Sequence, residues 1–104
     1  MTLTQIIPAD HACFAGHFPG QPILPGVLLL SRVLEAAQAQ LTQPLNRCVV
    51  NNVKFSAAVL PGDKITINLD SSSSTDLKFT VHVVGDASVP PVLACSGQLR
   101  IVVA

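Results

Sequence analysis

Four stretches in the second half of the chain alternate apolar and polar residues with period two, and this pattern restricts the fold more than any other feature. Val53, Phe55, Ala57 and Val59 come first, then Ile65, Ile67 and Leu69, then Leu77, Phe79, Val81 and Val83, and last Leu93, Cys95, Gly97, Leu99, Ile101 and Val103. Successive side chains of a strand point to opposite faces, so each stretch predicts a strand with one buried face. Pro61-Gly62-Asp63, the polar run Asp70 to Asp76 and the stretch Gly85 to Pro91 punctuate them as turns. Short turns join antiparallel neighbours, so a meandering antiparallel sheet is expected. Thr2 to Ile7 alternates more weakly and predicts a further short strand before the break at Pro8-Ala9-Asp10.

The first half is written differently. Pro19, Pro22 and Pro25 recur every third residue; each fixes its own φ and pushes the preceding residue out of helical space, so residues 18 to 24 form a stiff, non-helical loop. From Pro25-Gly26 onward Val27, Leu28, Leu29, Leu30, Val33, Leu34, Ala36, Ala37, Ala39 and Leu41 predict a helix of roughly four turns with proline in its first turn, and Pro44 stops it. Polar residues interrupt it only at Ser31, Arg32, Glu35, Gln38 and Gln40, which describes a helix wrapped by other structure. One central helix and a sheet around it make an α+β architecture, and 104 residues leave room for one core, so residues 1–104 are read as a single domain.

Six basic and six acidic side chains balance to no net charge and form no run, which excludes a phosphate-tracking nucleic-acid surface. The longest apolar run, Val27 to Leu30, is far too short to span a bilayer, and no targeting signal precedes it. Cys13, Cys48 and Cys95 are odd in number, without CxxC spacing and in apolar surroundings, as small buried hydrophobes of a reducing, cytoplasmic compartment would be. So much aliphatic surface on so short a chain points to a homo-oligomer.

Two separated segments resemble one family. His17-Phe18-Pro19-Gly20-x-Pro22-Ile23-x-Pro25-Gly26-Val27-Leu28, followed by Glu35-Ala36-Ala37-Gln38, is similar to the FabZ-type 3-hydroxyacyl-acyl-carrier-protein dehydratases, and Lys54-Phe55-x-x-x-Val59-x-Pro61-Gly62-Asp63 resembles that family's second shared stretch. The resemblance runs from about residue 12 to the end of the chain. It implies the hotdog fold, a curved antiparallel sheet wrapped around one long helix, and a dimer with acyl tunnels at the subunit interface. The chain is shorter than typical members, a feature shared with the short ApeI-like dehydratases of aryl-polyene pathways.

Dehydrating a 3-hydroxyacyl thioester requires a base for the C2 proton, an acid for the departing hydroxyl and donors for the thioester oxygen. His17 matches the family's catalytic histidine, and an imidazole with a pKa near 6.5 exchanges a proton at physiological pH. Backbone N–H groups around Gly26 and Val27, at the helix start, are the candidate donors; Gly26 lets a substrate approach the backbone, Pro25 and Phe18 border it, and Gly20 shapes the loop. The acid is the departure. The resemblance places a glutamate fourteen residues after the histidine, acting from the partner subunit, where this chain has Ser31. Glu35 lies one turn further along the same helical face, about 6 Å away; it substitutes only through a shifted tunnel or a relaying water, and otherwise is a surface residue, solvated or paired with a cation such as Arg32.

His11 and His82 read as solvated. His11, Cys13 and His17 place no fourth ligand and fit no zinc spacing, so neither metal nor cofactor is expected. Lys54, Lys64 and Arg100 are candidates for contact with an acidic carrier protein. The leading expectation is a lyase acting on an acyl thioester of acyl carrier protein or coenzyme A. A hotdog thioesterase and a non-catalytic acyl-binding subunit, with Ser31 marking a lost acid, remain as alternatives.

Overall fold

The structure is a computed structural model and describes residues 2–8, 10, 23–40, 48–73 and 75–102. The period-two stretches become strands. In chain order the elements are β1 (Thr2–Ile6), α1 (Gly26–Gln40), β2 (Cys48–Phe55), β3 (Lys64–Ser71), β4 (Asp76–Val84) and β5 (Val92–Ile101). The five strands form one antiparallel sheet in the order β1-β3-β4-β5-β2.

Registers explain why one face is buried. Ile67 stands opposite Val81 and Leu69 opposite Phe79, while Leu77 and Phe79 stand opposite Leu99 and Gly97, so the apolar set of each strand falls on the same side. Helix α1 lays Leu29, Val33, Ala36 and Ala37 into that face, and all four are buried with Ile65, Ile67, Leu69, Phe79 and Val81 in one cluster. Their spacing of three and four residues is one stripe of a helix. The opposite stripe, Val27, Ser31, Glu35, Gln38 and Ala39, is exposed in this chain. Among the described residues the helix is therefore covered on one side by its own sheet rather than wrapped all round.

The sheet is not a simple meander. β3, β4 and β5 follow one another as hairpins, but β2 pairs with β5 and so lies at the far edge from β1. Residues 56–63 cross the end of the sheet to join β2 to β3. Their backbone is spoken for: Leu24 N donates to Val59 O at 2.8 Å, Gly62 N to Ile7 O at 2.9 Å, and Ile7 N to Asp63 O at 2.8 Å. Val59 is buried because it packs beneath the helix entry, not because it continues a strand. The alternation beginning at Val53 thus spans two structures, and β2 itself starts earlier, at Cys48.

Two local features bend the pattern. Between Asn51 and Lys54 the β2–β5 register shifts, with Asn52 at φ 54° in left-handed space, which asparagine tolerates better than most residues. Between Val81 and His82 the β4–β5 register shifts as well, Val81 opposing Cys95 and His82 opposing Leu93. Ala94 is the extra residue and is buried, whereas Leu93, expected inside, is 38% exposed.

Candidate active site

The helix start and the crossing segment together enclose the site. An open groove of about 500 Å³ is walled by Ile23, Leu24, Leu29, Phe55, Ala57 and Val59, with Gly26 among its lining residues. Its position follows from the Pro61-Gly62-Asp63 turn: Asp63 N donates to Leu60 O at 3.1 Å, Leu60 N donates to Asp63 Oδ2 at 2.8 Å, and Gly62 holds φ 80°. Proline followed by a glycine at positive φ is the requirement of a type II turn. That turn reverses the chain so that Ala57 and Val59 face the helix entry.

Pro25 accepts the first bonds of α1, from Leu28 N at 3.0 Å and Leu29 N at 3.2 Å. A helix beginning at Gly26 gives the N–H groups of Gly26 and Val27 no acceptor within the helix. No acidic side chain stands in the first turn, so the positive end of the helix dipole is not neutralised locally. Val27 is 71% exposed. The Gly26 N–H, with no acceptor among the described residues, therefore meets an apolar groove, which suits a ligand with a polar carbonyl head and an apolar tail.

Of the residues read from the sequence, Gly26 lines the groove, and its chain neighbours Pro25 and Val27 do not. Ser31 and Glu35 share the exposed stripe further along, but neither lines the groove. Ser31 Oγ donates to Val27 O at 3.1 Å, turning the hydroxyl proton back into its own helix. Glu35 lies nine residues beyond Gly26, about 13 Å along the axis, so the Glu35 carboxyl of this chain does not reach a group bound at its own helix start. Arg32 is taken elsewhere: Nη1 donates to Gln5 Oε1 at 2.9 Å, tying α1 to β1. His17, Phe18 and Gly20 lie outside the described residues, as do His11 and Cys13.

Arg100 Nε donates to Asp76 Oδ1 at 3.0 Å, so this guanidinium is engaged within the chain. Cys95 is buried, and that burial pushes its thiol above the ordinary range, leaving it an inert core group; Cys48 is a free thiol on β2. Among the described residues no three His, Cys, Asp or Glu side chains converge as metal ligands, and no helix is long and apolar enough to cross a membrane.

The family described as ApeI-like, ApeI dehydratase, matches residues 1–92. The chain belongs to the ApeI-like dehydratase family. It is 31% identical over 101 residues to the 3-hydroxyacyl-[acyl-carrier-protein] dehydratase FabZ of Haemophilus influenzae, covering 89% of this chain and 67% of that one. It superposes on a chain of the dehydratase heterocomplex ApeI:P of Xenorhabdus doucetiae with a TM-score of 0.74 at 28% identity, covering 95% of this chain and 83% of that chain. The dehydratase domain of the polyketide protein PpsC from Mycobacterium tuberculosis shares the fold, with a TM-score of 0.83 at 13% identity, covering 99% of this chain and 39% of that one. The ApeI-like chain is thus a hotdog-fold lyase of the dehydratase type, as the His17–Gly26 and Lys54–Asp63 segments led one to expect.

Sequence reasoning missed most of the groove. Ile23, Leu24, Leu29, Ala57 and Ala58 line it but carry no chemistry that marks them, and the approach of Phe55 to Gly26 joins residues 29 positions apart. Only the family resemblance of Lys54-Phe55 pointed toward that strand end.

Proposed function

We propose that this dehydratase removes water from a 3-hydroxyacyl thioester to give the trans-2-enoyl thioester, with the acyl chain in the groove and the thioester oxygen at the Gly26 and Val27 N–H groups. The observation that carries the reading is the meeting of unpaired helix-start donors with an apolar groove in a chain of this family. His17 takes the C2 proton, the C–H electron pair forms the C2–C3 double bond, and the C3 hydroxyl departs as it gains a proton. Charge gathering on the thioester oxygen is held by the two donors and the helix dipole. The substrate class is fatty-acyl or polyene-type intermediates on acyl carrier protein or coenzyme A, in the cytoplasm; the name of the FabZ relative supports the carrier-protein thioester.

The leaving-group proton comes from outside this chain. The Ser31 hydroxyl is committed to Val27 O, and Glu35 is distant from the helix start of its own subunit. A second subunit supplies the acid, either Glu35 of another copy in a homodimer or a carboxyl of a different chain; a relative is a dehydratase heterocomplex. Supporting a two-chain assembly are the edge position of β2 among the described strands, the exposed Val27 and Val49, and the exposed stripe of α1.

Interconversion of a 2-enoyl and a 3-hydroxyacyl thioester tests the reading. A His17→Ala variant is expected to lose about 10²–10⁴-fold in rate; equal rates in variant and wild type reject the role of His17. Glu35→Gln tests the homodimer's acid, and Ser31→Glu is expected to accelerate the reaction where the family geometry is kept. A second reading, an acyl-binding subunit without chemistry of its own, is favoured by the bonded Ser31 hydroxyl; it predicts thioester binding without interconversion. Release of free thiol would instead mark a thioesterase.

A further inference from the structure

We infer that Phe55 selects straight acyl chains over chains branched at C2. The inference rests on the reading that an acyl thioester occupies the groove. Phe55 is the last residue of β2 and stands opposite Cys95, so its ring faces inward. Beyond it the chain leaves the ladder, with Ser56 N and Ala57 N both turning to Ala94 O at 2.8 and 3.4 Å. No strand covers the ring, and Phe55 stays 52% exposed. Even so the ring has a fixed neighbour: a Cβ added to Gly26 would lie 2.7 Å from Phe55 Cζ and 2.9 Å from Cε1. The ring edge occupies the space that a side chain at position 26 would take.

The consequence is an aromatic wall directly beside the unpaired donors. An oxygen accepting from the Gly26 or Val27 N–H stands about 2.9 Å from nitrogen, and the attached carbon is about 1.2 Å further. C2 is one bond beyond, so the ring edge borders C1 to C3 and not the distal chain. A methyl on C2 competes with the ring for the same space. The rest of the lining is aliphatic or small, with Ala57, Ala58, Val59 and Leu29, so Phe55 is the bulkiest side chain that borders the groove.

The test uses the butanoyl and 2-methylbutanoyl thioesters of pantetheine, which carry no hydroxyl to lose and report binding apart from turnover. Calorimetric titration of the whole protein is expected to favour the straight chain by about tenfold or more, the discrimination one carbon commands in a shaped apolar pocket. Phe55→Ala should bring the two affinities close together, and Phe55→Leu should fall between; if the alanine variant lacks the wild-type circular dichroism spectrum, the leucine variant carries the comparison. An unchanged ratio in a folded variant overturns the inference, as does a wild type without preference. A shift in subunit mass by light scattering with the ratio retained assigns the ring to a subunit contact and also overturns it. Turnover of 3-hydroxybutanoyl pantetheine is followed in parallel. Preference without turnover removes Glu35 of a second copy as the acid and leaves the selectivity; turnover with unchanged ratio removes only the role of Phe55; binding of neither thioester removes both.

Discussion

Two phenylalanines each lie across a glycine, and their surroundings differ. Phe79, in the middle of β4, covers Gly97 of β5, where an added Cβ would lie 2.6 Å from Phe79 Cζ and 3.2 Å from Val53 Cγ2. It is 1% exposed and sits in the helix-covered core. Phe55 covers Gly26 just as closely but borders an open groove. Around Phe79 local rules agree: β3 and β4 pair without a break from Lys64↔Val84 to Ser71↔Leu77, and alternation, register and burial point the same way. Around Phe55 they part, with a bulge behind it, a strand end beneath it and unpaired donors in front. The same contact seals a core in one place and shapes an opening in the other, as expected where consistency between levels yields to a site.

The sharpest way to break this contrast is to remove each ring. Phe79→Ala should cost about 3–5 kcal/mol, the usual effect of emptying an enclosed aromatic site. Phe55→Ala should cost less than about 1.5 kcal/mol, because half of the ring is already in water. Urea unfolding midpoints measure both, and equal losses would mean that the groove is as closed as the core. The glycines give the next largest effect. Gly97→Ala drives a methyl into the enclosed Phe79 and against the half-buried Val53, and should cost about 1–3 kcal/mol. Gly26→Ala meets only the tip of a half-exposed ring that can swing aside, so stability should hold while straight-chain thioester binding weakens.

How much of this was legible beforehand follows the same division. Ile65, Ile67 and Leu69 with Leu77, Phe79 and Val81 were readable because strand periodicity alone decides their face. The helix start was readable because proline and glycine act locally there. The place of β2 was not, since a short turn at Pro61-Gly62-Asp63 predicts adjacent strands, and only the packing of Val59 beneath the helix entry sends the chain across the sheet end. Leu93 was assigned to the core because alternation carries no notice of a bulge at Ala94. At the site, Gly26 was legible and lines the groove; Ser31 and Glu35 were legible as residue types, but their separation from the groove is a fact of helix length and orientation. Phe55 was invisible as a site residue because its partner lies in another element.

The smallest effect concerns the hairpin ends remote from any chemistry. Asp76 opens β4, and its carboxyl is held below the ordinary value of 3.8, first by the hydrogen bond from Arg100 and then by that from Ser73. Asp86, in the β4–β5 turn, is lowered by bonds from the Ser88 hydroxyl and backbone N–H. A carboxyl whose folded value lies below its unfolded one binds protons more readily when unfolded, so its contribution is complete above the unfolded value and is lost as pH falls through the folded one. Stability should therefore decline on acidification below about pH 4. Arg100→Gln and Ser88→Ala should each flatten that decline, and the first more so in low salt, because Arg100 acts across strands through a charge that ions screen while Ser88 acts within its own turn. Urea midpoints between about pH 2 and pH 6, taken at two ionic strengths, read the difference; parallel curves for Arg100→Gln and wild type would show that the cross-strand pair is only a crossing of solvated side chains, which is the ordinary fate of surface ion pairs.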